Sequence, residues 1–344
     1  MSDLKCCDTK YKIFLIAGTS NEPLANAISK NLTSRNIDHI YESAIVKRFA
    51  DGETFVQLPS AVRGHDIFIC QPTSPPDVNS ALVELLLLLD AAKRASAARI
   101  TAVLPYYGYA RQERKAHPRT PITAKLVADI IEKAGADRVL TVDLHAAAIQ
   151  GFFDVAVDHV HAIHIFVPYL KERFAGISME DICIVSPDVG GAARARKLAA
   201  RLHTSLAIVD KRRPRDNECE IMNVVGDVKG KHCIIVDDMV DTAGTLCKGA
   251  QVLKAFGAVS VVACISHGLL SGPAHDRIST CDDLNELIIT DSIKQTRENK
   301  KVTVVSCSEL LSEAIMCVHY ESSLGNLMVK LDRTYGAASA DEDE

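Results

Sequence analysis

Short apolar stretches rich in β-branched residues alternate with segments of helical periodicity along most of this chain. Four stretches of the first half predict strands: 12–17, 66–71, 99–105 and 138–143. Three helical patterns lie between them, near 22–33, 77–95 and 121–134. Such alternation is typical of α/β proteins, in which helices cover a mainly parallel sheet.

The same alternation restarts in the second half of the chain. Its predicted strands are 181–187, 206–210, 232–238 and 259–266, and its predicted helices lie near 190–202 and 242–256. At 344 residues, the chain exceeds the size at which one hydrophobic core usually keeps growing. We therefore expect two similar α/β domains, over residues 11–160 and 161–320, with flexible tails at 1–10 and 333–344.

Charge and cysteine usage exclude several classes of protein. The formal net charge of -5 argues against a chain that mainly grips nucleic-acid phosphate, because such binding needs a basic surface. The 11 cysteines include no CxxC pair, and their odd number suits a reducing compartment. The N-terminus lacks a signal-peptide core, and the apolar run 82–89 is too short to span a bilayer. We expect a cytoplasmic protein that binds neither nucleic acid nor membrane.

The segment 233–245 carries the strongest chemical signal. An apolar strand ends in Asp237 and Asp238, and a short loop leads into a helix whose first turn contains Thr242, Gly244 and Thr245. At the carboxyl edge of an α/β sheet, the unpaired N–H groups of such a helix attract a phosphate. The carboxylates would face sugar hydroxyls or a metal ion. The alternative is an Asp or Thr helix cap without a ligand, which explains adjacent acids at a strand end poorly.

Two further segments stand at turns of the first half. In RFADGET, between two strands, Phe49 could stack on a purine while Asp51 and Glu53 accept hydrogen bonds from the nucleoside. An ordinary Asp-Gly hairpin is the alternative interpretation. In PYYGYARQERK, three cations beginning with Arg111 form a rim suited to a polyphosphate, and solvated surface charge is the alternative.

Three more turns carry titratable residues. DLH closes one predicted strand with His145, and SPDVGG places Asp188 after another. One imidazole and one carboxylate could complete a Mg²⁺ sphere otherwise filled by water and phosphate oxygens, although either motif alone is more often structural. The charged loop DKRRPRDNECE, with Lys211 and Arg213, fits a mobile lid. A nuclear-import or RNA-binding patch competes with that reading, but the acids of the loop dilute its basic field.

Three histidines crowd the predicted domain junction: His159, His161 and His164. Their spacing would not place all three on one face of a helix, so we favour packing over a metal site.

The turn at 237–245 resembles the phosphoribosyl-diphosphate-binding motif of type I phosphoribosyltransferases. This motif alone does not distinguish the transferases that consume phosphoribosyl diphosphate from the synthetase that makes it. With FADGE, YARQERK, TVDLHA, SPDVGG and the KRRPR loop in order, the chain resembles the ribose-phosphate diphosphokinase family over roughly residues 12–330. The resemblance implies two phosphoribosyltransferase-like (Rossmann-like) domains and a homo-oligomer, either a hexamer or a related dimer-based assembly. It also implies Mg²⁺-dependent transfer of the β,γ-diphosphoryl group of ATP to the C1 hydroxyl of ribose 5-phosphate, releasing AMP.

On matching positions, the resemblance implies a role for each motif residue. Those that would bind ATP are Phe49, Asp51, Glu53, Arg111 and Gln112. Those that would hold ribose 5-phosphate are Asp237, Asp238, Asp241, Thr242, Ala243, Gly244 and Thr245. The implied Mg²⁺ ligands are His145 and Asp188. Lys211 and Arg213 would stabilise charge on the transferring group, since such transfer depends on positioning and cations.

Two rival interpretations stay open. A non-catalytic partner subunit of the same family would interrupt the lid, and no long insertion lies between Asp210 and Met222. A salvage phosphoribosyltransferase would need a base-recognition hood and only one core domain, which the complete first domain argues against. Ala147 and Gly325 stand where regulated members of the family carry small polar residues, so we expect weakened control by phosphate.

Overall fold

The computed structural model describes residues 11–212 and 221–334, apart from the side chains of residues 211, 212, 221 and 222. The chain divides into two compact units. The first unit runs to His161 and also includes Ser292–Lys294 and Ser306–Leu327. The second unit begins at Ala162 and takes the remaining segments.

The first unit contains a parallel sheet of six strands. The strands of this unit are β1 (Ile13–Ala17), β2 (His39–Ser43), β3 (Ile45–Arg48), β4 (Thr54–Gln57), β5 (Asp66–Cys70), β6 (Arg99–Leu104), β7 (Arg138–Val142) and β8 (Ala156–Val160). Three of its helices are α1 (Glu22–Ser34), α2 (Val78–Arg94) and α3 (Thr123–Ala134). The sheet order is β2-β1-β5-β6-β7-β8, while β3 and β4 form a separate antiparallel hairpin.

The second unit repeats this architecture. Its helices include α4 (Ile163–Arg173), α5 (Ala192–Leu202), α6 (Gly244–Ala255) and α7 (Ala274–Thr280). Its strands are β9 (Ile182–Ser186), β10 (Ser205–Arg212), β11 (Ile221–Val225), β12 (His232–Val240), β13 (Ser260–Gly268), β14 (Glu286–Thr290) and β15 (Val302–Val305). The order is β11-β10-β9-β12-β13-β14-β15, and every pair is parallel except β10 with β11.

The structure confirms the predicted α/β class with mainly parallel sheets. Strands β1, β5 and β9 are buried along their whole length, because helices cover both faces of such a sheet. Two neighbouring strands were predicted too short. β12 and β13 each continue two residues beyond their predicted ends at Asp238 and Ser266, because Met239 and Val240 pair with His267 and Gly268. Helix α6 therefore begins only at Gly244.

Two helices close the described chain, α8 (Ser308–His319) and α9 (Leu324–Thr334). The predicted second domain, 161–320, included all of α8, whereas in the structure α8 belongs to the first unit. There α8 packs on α1, where Arg35 Nη1 lies 2.6 Å from Glu313 Oε1. At its end, His319 Nδ1 lies 2.7 Å from the buried Asp66 carboxylate. Among the described residues, no helix is long and apolar enough to cross a membrane.

Candidate active site

Strand β12 carries two carboxylates near its end, Asp237 and Asp238, that share one cation. The Asp238 side chain is 7% exposed and that of Asp237 is 30% exposed. Arg194, on α5, places Nη1 3.1 Å from Asp238 Oδ1 and 3.6 Å from Asp237 Oδ1. The Asp238 N–H donates to Asp237 Oδ1 at 2.9 Å. Together these contacts hold the two acids at the carboxyl edge of the sheet.

Burial and the neighbouring Asp238 raise the pKa of Asp237 from an ordinary value of 3.8 to about 7. The side-chain hydrogen bond to Asp238 raises the pKa of Asp237 further. The hydrogen bond from Asp238 N–H and the positive charge of Arg194 lower it and so oppose the shift. A carboxyl with such a pKa can exchange a proton near neutral pH, which is common at functional sites.

The N-terminus of α6 is open. Its N-cap is Ala243, in the left-handed conformation with φ 58°, and no side chain caps the helix. The first hydrogen bond of the helix runs from Cys247 N–H to Ala243 O, so the N–H groups of Gly244, Thr245 and Leu246 have no partner within the helix. The alternative of an Asp or Thr cap is therefore excluded. An N-terminus of this kind is a ready site for a phosphate.

Arg277, on α7, borders the same turn, and the sequence analysis did not single it out. Its Nη1 donates to Thr242 O at 2.9 Å. A Cβ added to Gly244 would lie only 3.3 Å from that nitrogen, so the guanidinium stands against the turn. No local pattern marks Arg277 or Arg194, because both reach the turn from other helices.

Asp188 and Lys211 also belong to the second unit. Asp188 is exposed on the turn after β9, where its Oδ1 accepts from Gly191 N–H at 2.9 Å and so shapes the entry to α5. The Lys211 backbone lies in β10 and pairs with Met222 of β11. The side chain of Lys211 and the whole of Arg213 lie outside the described residues.

The predicted adenine segment forms the turn between β3 and β4. Phe49 N–H donates to Glu53 O at 2.9 Å, and Glu53 N–H donates to Asp51 Oδ1 at 3.0 Å. The Phe49 ring is 57% exposed and meets Phe55 edge-on, with ring centroids 6.0 Å apart. The turn thus exposes the Phe49 ring to solvent on a hydrogen-bonded hairpin. This geometry fits both a ring that stacks on a purine and an ordinary hairpin without a ligand.

Arg111 and Gln112 follow β6 in the first unit and are exposed. Gln112 Oε1 accepts from Thr123 Oγ1 at 2.6 Å, and Gln112 O accepts from Ala124 N–H at 3.2 Å. These bonds attach the segment to the start of α3. Gly108 is required in it, because a Cβ there would lie 2.4 Å from Thr73 O.

The DLH turn follows β7, and His145 is exposed on it. The structure adds a group that the sequence analysis did not assemble. Asp143, His159 and His161 each offer an atom that could bind a metal, and these atoms lie within 4.8 Å of one another. The helical geometry assumed for the histidines does not apply, since His159 lies in β8 and His161 follows it. His164 belongs to α4 of the second unit, with Nδ1 3.3 Å from Asp332 Oδ1.

The predicted residues thus separate by unit. Those expected to bind ATP, with His145, belong to the first unit, and those expected to hold the sugar, with Asp188, belong to the second.

Comparison with known proteins identifies the family. Residues 13–135 match the N-terminal domain of ribose phosphate pyrophosphokinase, and residues 215–329 match the phosphoribosyl synthetase-associated domain. A ribose-phosphate pyrophosphokinase of Rhizobium meliloti is 52% identical over 92% of this chain and 99% of that protein. One of Synechococcus elongatus is 46% identical over 95% and 96%.

The crystal structure of phosphoribosylpyrophosphate synthetase from Mycobacterium smegmatis matches with a TM-score of 0.82 and 40% identity, covering 90% of this chain and 100% of that one. The resemblance seen in the motifs is confirmed, and the chain belongs to the ribose-phosphate pyrophosphokinase family of enzymes.

Proposed function

We propose that this enzyme transfers the β,γ-diphosphoryl group of ATP to the C1 hydroxyl of ribose 5-phosphate, giving 5-phosphoribosyl 1-diphosphate and AMP for nucleotide biosynthesis. The observation that carries the proposal is the open N-terminus of α6, directly after the carboxylates of β12. Relatives that are named for this activity and about 50% identical over nearly the whole chain support it.

The sugar lies at the turn after β12 in this proposal. Its 5-phosphate takes the free N–H groups at Gly244 and Thr245, with the hydroxyls of Thr242 and Thr245 as further donors. Asp237, Asp238 and Asp241 lie on the side of the ribose hydroxyls, to which a carboxylate can only accept. Both ends of the sugar are thereby fixed, which favours attack by one particular oxygen.

ATP is held by residues of the first unit in the proposal, with Phe49 stacked on adenine, Asp51 and Glu53 accepting from the nucleoside, and Arg111 and Gln112 on the nucleotide. The anomeric oxygen of the sugar attacks the β-phosphorus, and a new C1–O–P linkage forms. The bond from the β-phosphorus to the oxygen bridging it to the α-phosphorus breaks, AMP leaves with that oxygen, and the hydroxyl proton is lost to solvent. No nucleophilic side chain is required.

His145, in the first unit, and Asp188, in the second, each have the chemistry of a Mg²⁺ ligand. Asp188 is an exposed carboxylate with one oxygen engaged by Gly191 N–H, and His145 is exposed. Either residue could offer one ligand while water and phosphates supply the others. When bound, Mg²⁺ neutralises charge on the phosphate oxygens.

The lid residues Lys211 and Arg213 are proposed to stabilise charge on the transferring group and to exclude water. We expect Lys211→Ala and Arg213→Ala to cut turnover strongly while ribose 5-phosphate, measured by calorimetry, still binds. Unchanged turnover in both variants would remove the lid from the mechanism.

Phosphorus NMR of the purified protein with ATP, Mg²⁺ and ribose 5-phosphate tests the proposal. We expect AMP and a 1-diphosphorylated sugar to appear together and in equal amounts. A reaction that needs a second family member would favour the non-catalytic partner subunit. Consumption of 5-phosphoribosyl 1-diphosphate with a free base would instead favour a salvage transferase.

A further inference from the structure

Asp143, His159 and His161 form a cluster at the carboxyl edge of the first sheet. Their potential ligand atoms lie within 4.8 Å of one another, and His161 Nδ1 lies 3.0 Å from Asp143 Oδ1. The two imidazole centroids are 4.4 Å apart. All three residues belong to the first unit.

The register of two parallel strands creates this cluster. Val142 of β7 pairs with Val160 of β8, and the next residue, Asp143, donates its N–H to Val160 O at 3.1 Å. His159 and His161 flank Val160, and residues two apart in an extended chain share a face. Asp143 also has φ 34°, which a non-glycine residue adopts at a cost and which is frequent at functional sites.

The protonation of His159 suits a metal ligand. Its Nε2 accepts a hydrogen bond from Leu144 N–H at 2.9 Å, so this nitrogen carries no proton and directs its lone pair toward the turn. An ion would take that lone pair from the Leu144 N–H. The His161 side chain is 41% exposed, whereas that of Asp143 is 8% exposed, so an ion can reach the cluster from solvent.

We propose that Asp143, His159 and His161 bind a divalent transition-metal ion of the zinc class, in a site separate from the Mg²⁺ that accompanies the nucleotide. Two imidazoles and one carboxylate suit Zn²⁺ or Co²⁺, whereas Mg²⁺ prefers oxygen ligands. Ligand atoms of a tetrahedral zinc ion lie about 3.3 Å apart, given bonds of about 2.0–2.1 Å. His161 Nδ1 and Asp143 Oδ1, which are 3.0 Å apart, lie near that spacing, and a water molecule can take the fourth position.

Binding of Co²⁺ to the metal-free full-length protein, without nucleotide or sugar, tests the proposal. We expect one ion per chain, with the intense visible bands of a Co²⁺ ion in a low-coordinate site. His161→Phe and His159→Asn should each weaken binding by at least about tenfold. The Asn amide keeps an acceptor for Leu144 N–H, so His159→Asn separates loss of the ligand from loss of the turn.

His117→Gln is the matched control, because His117 is an exposed imidazole of the same unit outside the cluster. We expect it to bind Co²⁺ as the unaltered protein does. Zn²⁺ should also raise the melting temperature of the unaltered protein and of His117→Gln, but not that of His161→Phe, because only a folded-state site stabilises by mass action. Absence of the Co²⁺ bands, or equal binding by His161→Phe, would overturn the proposal. Neither result depends on catalytic activity.

Discussion

Strands β5 and β12 occupy equivalent places in the two sheets, yet the helices that follow them begin differently. β5 lies between β1 and β6, and β12 lies between β9 and β13. Helix α2, after β5, is capped by Asp77, whose carboxylate accepts from Ser80 N–H at 3.0 Å. Helix α6, after β12, begins at Ala243 without a side-chain cap. The same local topology is thus followed by one helix whose N-terminus a side chain caps, the closed helix α2, and one whose N-terminus is uncapped, the open helix α6.

The difference in capping leaves only one of these two equivalent helix N-termini available to bind an anion. Hydrogen bonds from Ser80 hold the pKa of Asp77 below its ordinary value, so a carboxylate already occupies the positive end of α2. β5 ends in the apolar Cys70, whereas β12 carries the two acids that the proposed function assigns to the sugar. A phosphate would meet a negative charge at α2 and free N–H groups at α6.

The largest expected effect comes from closing the open helix with Ala243→Asp. Asp tolerates the left-handed conformation, and its carboxylate would compete for the N–H groups and repel the sugar phosphate. We expect kcat/KM for ribose 5-phosphate to fall at least about 100-fold, from losing two charge-assisted hydrogen bonds of ~1.5–3 kcal/mol each. Gln251→Asp adds the same charge at an exposed position of α6 and should leave this constant nearly unchanged. Full activity in Ala243→Asp would mean that the phosphate binds elsewhere.

Removing the cation beside the open helix should have a smaller effect. Arg277→Gln keeps a donor for Thr242 O but loses the charge, and we expect KM for ribose 5-phosphate to rise about tenfold, as for one charge-assisted hydrogen bond. KM for ATP should not change. Arg297→Gln is the control, because Arg297 pairs with Asp276 on the surface, 2.7 Å away. Equal constants for both variants would show that Arg277 does not assist the turn.

The raised pKa of Asp237 in β12 should make the free energy of unfolding depend on pH. Because the pKa of Asp237 is raised from 3.8 to about 7, the folded protein binds its proton more tightly than the unfolded chain. The protonated Asp237 therefore favours the folded state at low pH, and this contribution to the free energy of unfolding is lost as pH rises from about 4 to about 7.

Asp237→Asn removes this titration and the repulsion with Asp238. Urea unfolding at pH 8 should show a gain on the order of 1–2 kcal/mol, shrinking toward pH 4. A gain that is the same at every pH would contradict the assigned pKa. Glu286→Gln, which alters an acid of β14 paired with Arg173, is the control and should not flatten the profile.

The smallest effect is expected from opening the closed helix. Asp77→Ala removes the cap of α2, and we expect the melting temperature to fall by about 2–4 °C. KM for ribose 5-phosphate should stay unchanged, because α2 is not the phosphate site. Asp90→Ala, which breaks only the exposed pair with Arg94 on the same helix, should leave the melting temperature unaltered. A higher KM for ribose 5-phosphate in Asp77→Ala would contradict the conclusion that only the N-terminus of α6 binds the phosphate.

Much of this organisation could be predicted from local pattern. Alternating apolar strands and amphipathic helices indicate a parallel sheet whatever the tertiary detail, and the predicted elements lie within a few residues of the observed ones. The motif at 237–245 pointed to a phosphorylated sugar, because the N–H groups at the start of a helix attract a phosphate and the adjacent acids before it suit sugar hydroxyls. The ends of β12 and α6 were less predictable, since pairing with β13 extends the strand beyond the local signal.

The sequence by itself determined the α/β class, the repeat and the identity of the turns that carry charge, because these follow from periodicity and residue type. Only the tertiary structure decided that α6 is uncapped, that Arg194 and Arg277 reach its turn, and that α8 joins the first unit. Only strand register brought Asp143 to His159 and His161, from positions 16 and 18 residues apart. Such contacts depend on how distant segments pair, and no local pattern carries that information.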